Sequence, residues 1–78
     1  MKQRVKLPPL GEGVTKATVL EWAHEIGDRI TAGETLLSVE LEKIDTEVPS
    51  PVGGTLVERV VEEGDEVTVG TVICLVET

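Results

Sequence analysis

Lys43 stands in the stretch ELEKIDTEVPSP, residues 40–51, surrounded by Glu40, Glu42, Asp45 and Glu47, and no other lysine follows Lys16. An isolated lysine can serve two kinds of chemistry. As a Schiff-base former or general base, its amine needs a pKa lowered from ~10.4 toward neutrality by burial or a neighbouring cation. Carboxylate neighbours act the other way and favour the ammonium form. The rest of a catalytic kit is missing: His24 is the only histidine, far off in sequence with no nearby Ser or Cys partner. No His/Cys spacing suggests a metal, and the acidic pairs Glu62/Glu63 and Asp65/Glu66 read as a solvated turn face. The second use is as a substrate. Another protein then acylates the amine with an activated acyl donor, and the lysine needs only presentation: a fixed, exposed place on a rigid support, without competing lysines nearby. A solvated turn lysine with no role is the plain alternative. Its solitude, and its place in the repeat described next, count against that.

The elements that must hold Lys43 come from an internal duplication. Residues 17–40 and 54–77 align without a gap at an offset of 37, and nine of the 24 positions are identical: Thr18/Thr55, Glu21/Glu58, Glu25/Glu62, Gly27/Gly64, Asp28/Asp65, Thr31/Thr68, Gly33/Gly70, Val39/Val76 and Glu40/Glu77. Composition alone would give about two matches. In each copy an apolar-rich run ends at a Gly-Asp turn signal, a short run follows, and a second glycine precedes another apolar run. This predicts three short strands per copy, with Gly27, Gly33, Gly64 and Gly70 serving turns. The connector supplies a hairpin over 41–47, with its tip at Glu42-Lys43 and IDTEV as its returning strand. Two strand units that cannot bury an apolar face alone pack against each other. The expected architecture is all-β: a flattened barrel or sandwich of two small antiparallel sheets with pseudo-two-fold symmetry, in a single domain, 1–78. Lys43 would occupy an exposed tip opposite the region where the chain ends meet. Trp22 aligns with Arg59, which predicts a partly exposed ring over the rim.

Composition agrees. Val, Ile and Thr supply 26 of the 78 residues, and there is one Trp with no Phe or Tyr; branched side chains at this density favour strands. The formal charge of −8 is uneven, +3 over residues 1–16 and −11 over residues 17–78. An acidic surface without aromatic stacking platforms disfavours nucleic-acid binding and points to basic protein partners. Cys74 allows no internal disulfide and reads as a small buried apolar residue. No apolar run approaches the ~18 residues of a membrane span, and no signal-peptide pattern opens the chain.

On these residues a family resemblance can be stated. EKIDTEVPSPVGG resembles the attachment motif of lipoyl domains in the acyltransferase components of 2-oxoacid dehydrogenase complexes. LPPLGEGVTKATVLEW followed by Gly-Asp is similar to their opening, and EEGDEVTVGTVI to their closing half. The likeness covers about residues 5–77. It departs at the tip, where the family usually has Asp-Lys-Ala and this chain has Glu42-Lys43-Ile44.

The resemblance implies lipoic acid amide-linked to Lys43 and no catalysis by the domain itself. The implied partners are a lipoate ligase or lipoyl transferase, a thiamin-diphosphate 2-oxoacid decarboxylase that delivers the acyl group, an acyltransferase core, and a flavoprotein dihydrolipoyl dehydrogenase. It also implies a parent dihydrolipoyl acyltransferase, of which this chain is an excised and monomeric piece, in a bacterial cytoplasm or a mitochondrial matrix. Recognition would involve Glu42, Ile44, Asp45 and Glu47 beside the tip and the loop Pro8–Thr15 with Gly11, Glu12 and Gly13. The rival readings are a biotin carrier, whose tip is usually Met-Lys-Met, and an unmodified interaction module.

Overall fold

The computed structural model describes residues 1–42 and 44–78; the tip position expected for Lys43 lies outside the described residues. Eight strands form: β1 (Lys2–Lys6), β2 (Lys16–Trp22), β3 (Arg29–Ile30), β4 (Thr35–Glu40), β5 (Asp45–Pro49), β6 (Gly54–Arg59), β7 (Glu66–Thr68) and β8 (Val72–Glu77). They build two four-stranded antiparallel sheets, ordered β1-β8-β6-β3 and β5-β4-β2-β7. The expected all-β sandwich is therefore what the chain adopts, with three strands per repeat copy. Alternation places Val19, Leu37, Val39 and Val48 from one sheet against Val5, Leu56, Cys74 and Val76 from the other, all buried. Leu36 and Ile73, one residue out of that alternation, are buried as well.

The duplication extends to individual hydrogen bonds. Gly27 N–H donates to the Leu56 carbonyl at 2.7 Å, and its repeat mate Gly64 N–H donates to the Val19 carbonyl at 2.8 Å. The Asp28 carboxylate accepts from Glu25 N–H at 2.9 Å, and Asp65 accepts from Glu62 N–H at 2.9 Å. Both bonds of the first pair run between the copies. Each copy therefore sends its short strand, β3 or β7, to the edge of the sheet built by the other copy's longer strands. Both sheets also carry a register shift at the same place, Leu20 in β2 and its mate Val57 in β6; each is an extra residue that bends its strand.

Trp22 corrects the expectation drawn from its mate. The residue is 7% exposed and belongs to the core, and its Nε1–H donates to the Val61 carbonyl at 3.1 Å. The Arg59 guanidinium lies over the ring, 5.8 Å from its centroid, within cation–π reach. Two mates that touch each other must lie beside the pseudo-two-fold axis. Trp22 ends β2 away from the β4–β5 hairpin, and Arg59 ends β6 away from the chain termini. The hairpin and the termini therefore occupy opposite poles of a body with a long dimension of 34 Å.

Candidate functional site

The hairpin pole is built by β4 and β5, whose ladder runs from Thr35↔Pro49 to Glu40↔Asp45. Beyond that last pair, Leu41 N–H donates to the Ile44 carbonyl at 2.7 Å and closes the turn. Glu42 and Ile44 are both exposed, Ile44 by 64%, while Val39 and Val48 anchor the two arms in the core. A rigid ladder thus delivers the chain neighbours of Lys43 to solvent at a pole of the molecule. This fits a covalently attached group, which needs an accessible lysine on a turn held from below. At the opposite pole the same bond recurs between chain ends: Thr78 N–H donates to the Met1 carbonyl at 2.9 Å.

Two hollows flank the turn. The larger, about 430 Å³, lies between Gly13–Thr15 of the loop, the start of β2, and Glu40–Glu42, with Glu66 on its rim. Thr15 accepts from Val69 N–H at 2.9 Å, and Leu7 accepts from Gly70 N–H at 2.9 Å, so both roots of the Pro8–Thr15 loop are pinned to the turn after β7. That pinning brings Gly13 and Glu42 to one hollow. Gly13 sits at φ +81°, a backbone state that glycine adopts without strain. Gly11 and Glu12 are exposed on the same loop but do not line the hollow. Across the hollow Lys16 Nζ lies 3.5 Å from Glu66 Oε1, both well exposed.

The smaller hollow, about 260 Å³, lies on the outer face of the same sheet and is lined by Leu20, Glu21, Ser38, Asp45, Thr46 and Glu47. It collects Asp45 and Glu47 of the expected recognition set. It also adds Leu20, 37% exposed, which is absent from the expected recognition set. The signal for it is the broken alternation of VLEWAHE: Leu20 faces outward after the buried Val19, and the bulge that follows keeps Glu21 outside and returns Trp22 to the core.

The remaining reactive groups lie elsewhere. His24 is mostly covered, with Nε2 3.2 Å from Glu34 Oε1 and Nδ1 3.7 Å from Asp28 Oδ2. Cys74 is buried, and burial pushes its thiol up from 9.0 to about 11, far from a reactive thiolate. Among the described residues no cluster of His, Cys, Asp and Glu could hold a metal ion, and no helix is long and apolar enough to cross a membrane.

Comparison with known proteins agrees with this geometry. A biotin/lipoyl family model, described as "Biotin-requiring enzyme", matches residues 3–76. The chain is 49% identical over 69 residues to the dihydrolipoyllysine-residue acetyltransferase component of the pyruvate dehydrogenase complex of Corynebacterium glutamicum, covering 88% of this chain and 10% of that protein. It is 42% identical over 77 residues to the dihydrolipoyllysine-residue succinyltransferase component of the 2-oxoglutarate dehydrogenase complex of Bartonella vinsonii, covering 99% of this chain and 19% of that protein. The chain thus spans between about a tenth and a fifth of the length of these relatives. Among solved structures, the lipoyl domain of the 2-oxoglutarate dehydrogenase complex from Azotobacter vinelandii superposes with a TM-score of 0.73 at 27% identity, covering 96% of this chain and 95% of that one. A Kluyveromyces lactis urea carboxylase shares the fold, with a TM-score of 0.81 at 16% identity, over 99% of this chain and 6% of that one. The duplicated β-sandwich is thus that of a carrier domain, and the chain belongs to the biotin/lipoyl attachment family.

Proposed function

We propose that the chain is the lipoyl carrier domain of a dihydrolipoyl acyltransferase, with lipoic acid amide-linked to Lys43. The observation that carries this is the turn closed by Leu41 and Ile44, which sets the exposed neighbours of Lys43 on a rigid ladder at a free pole. The names of the relatives, dihydrolipoyllysine-residue acyltransferase components, favour lipoyl over biotinyl. So does the tip Glu42-Lys43-Ile44, which lacks methionine on either side.

Bound there, the group supplies a disulfide that takes up an acyl unit and two electrons; the protein supplies none of that chemistry. The chain's residues carry, orient and identify. β4 and β5 fix where the arm is rooted, and the acidic residues Glu42, Asp45 and Glu47 mark the surroundings. The Gly11–Gly13 loop borders the larger hollow next to the tip. The gain is effective concentration, because a tethered intermediate meets successive active sites without being released. Acylation of the amine also removes one positive charge and makes the pole more acidic. The partners on this reading are a lipoate ligase or lipoyl transferase, a thiamin-diphosphate 2-oxoacid decarboxylase, the acyltransferase core and a flavoprotein dihydrolipoyl dehydrogenase, in a bacterial cytoplasm or mitochondrial matrix.

The test is direct. Incubation with lipoate ligase, lipoate and ATP is expected to add one lipoyl mass to the intact protein and none to Lys43→Ala. Parallel incubation with biotin ligase and biotin is expected to add nothing. A biotinyl adduct, or a lipoyl adduct that survives Lys43→Ala, would refute the reading.

A further inference from the structure

The two sheets carry opposite charge. Strands β1, β8, β6 and β3 hold five cations against two carboxylates, with Lys2, Arg4 and Lys6 all exposed on β1. Strands β5, β4, β2 and β7, the sheet that ends in the hairpin turn, hold one cation against five carboxylates. A chain of net charge −8 gains solubility from acidic residues anywhere on its surface. Solubility alone gives no reason to gather them on one sheet and leave the other cationic.

The acidic sheet also has an apolar centre. Leu20 follows the buried Val19 and faces outward, into the hollow bordered by Glu21, Asp45 and Glu47, and the β2 register shift keeps Glu21 beside it on that side. Ile44, 64% exposed, stands next to Asp45 at the tip end of the same sheet. An apolar centre inside a charged rim is the usual anatomy of a transient protein interface, and rim charges govern mainly how fast partners meet. On the carrier reading, which this inference rests on, the arm is rooted at the edge of this face.

We infer that the outer face of β2, β4 and β5 is the docking surface for the decarboxylase that loads the carrier, and that this partner meets Leu20 and Ile44 with an apolar contact ringed by Lys and Arg side chains. The β1 face then points away from the partner. The acidic field orients the domain tip-first during approach.

The experiment uses lipoylated domain and the decarboxylase of its own complex, following reductive acylation of the domain as a function of its concentration and of salt. Each variant is first checked for its lipoyl adduct by intact mass and for its fold by circular dichroism. The double variant Glu21→Lys/Glu47→Lys is expected to lower kcat/KM by about tenfold or more and to flatten the salt dependence. Leu20→Ser is expected to lower kcat/KM by several-fold while keeping the salt dependence, since it removes apolar contact rather than charge. Lys2→Glu/Arg4→Glu on the opposite sheet is expected to change kcat/KM by less than about twofold. Equal losses from the two sheets, or none from the acidic one, would overturn the docking face while leaving the carrier reading intact. Absence of any adduct on wild-type Lys43 would overturn the carrier reading and this inference with it.

Discussion

The two repeat copies share a backbone and differ in what they place on it. Positions 39 and 76 hold the same buried valine, whereas 17 and 54 hold Ala and Gly, 37 and 74 hold Leu and Cys, and 22 and 59 hold Trp and Arg. Five of the nine identical pairs, 25/62, 27/64, 28/65, 31/68 and 33/70, lie at or beside the turns, and a sixth is the buried Val39/Val76, where geometry leaves little choice; Thr18/Thr55, Glu21/Glu58 and Glu40/Glu77 are kept on the strands. The differing pairs lie where the copies meet each other or the outside. Trp22 and Arg59 show the first case. Beside a symmetry axis the mates face one another, so two tryptophans would compete for one space, and a flat ring under a guanidinium fills it. The lesson is that symmetry was kept in the frame and given up where mates meet at the axis.

The strongest way to break this comparison is to put a charge at a shared position. Val39→Asp and Val76→Asp each bury an unpaired carboxylate in the same core, and each is expected to abolish cooperative thermal unfolding. A variant that still melts cooperatively near the wild-type temperature would show that the copies do not share one core.

A smaller and asymmetric effect is expected at 17 and 54. A Cβ added at Gly54 would run into the Glu77 carbonyl oxygen and come 2.9 Å from Val76 Cγ1, so Gly54→Ala is expected to cost about 2–3 kcal/mol in urea unfolding. The reverse change at its mate, Ala17→Gly, removes only a methyl group and adds backbone freedom, for about 1 kcal/mol. Equal costs would mean that the strands around Gly54 shift apart easily.

The smallest effect separates Leu37 from Cys74. Burial raises the Cys74 thiol from 9.0 to about 11. The unfolded thiol therefore ionises first, and stability falls as pH rises from 9 toward 11. The melting temperature of the wild type is expected to drop more across this window than that of Cys74→Ala, with thiol labelling at neutral pH seen only on unfolding. Identical pH dependence in the two proteins would remove Cys74 as the cause.

Much of this was legible in the sequence. The offset of 37 gave both copies, their three strands each and the hairpin between them, because glycine turns and apolar runs are local signals. Other features were not legible, for physical reasons. The strand Lys2–Lys6 buries only Val5, so it lacks the alternation that marks a strand and exists because β8 offers it an edge. The exchange of β3 and β7 rests on strands of two and three residues, too short to carry a period. The core place of Trp22 is hidden because an aligned arginine argues against a core position only where the mates sit in separate surroundings. At the site, the acidic residues beside the tip could be named, but their gathering onto one sheet, together with Leu20, follows from strand order.

The pairing of Met1 with Thr78 at the far pole has a mechanical consequence. Any longer polypeptide joined to either end attaches there, so the folded body behaves as a stiff spar between its mooring and the Leu41–Ile44 turn. Its 34 Å length adds to whatever radius a connecting segment sweeps.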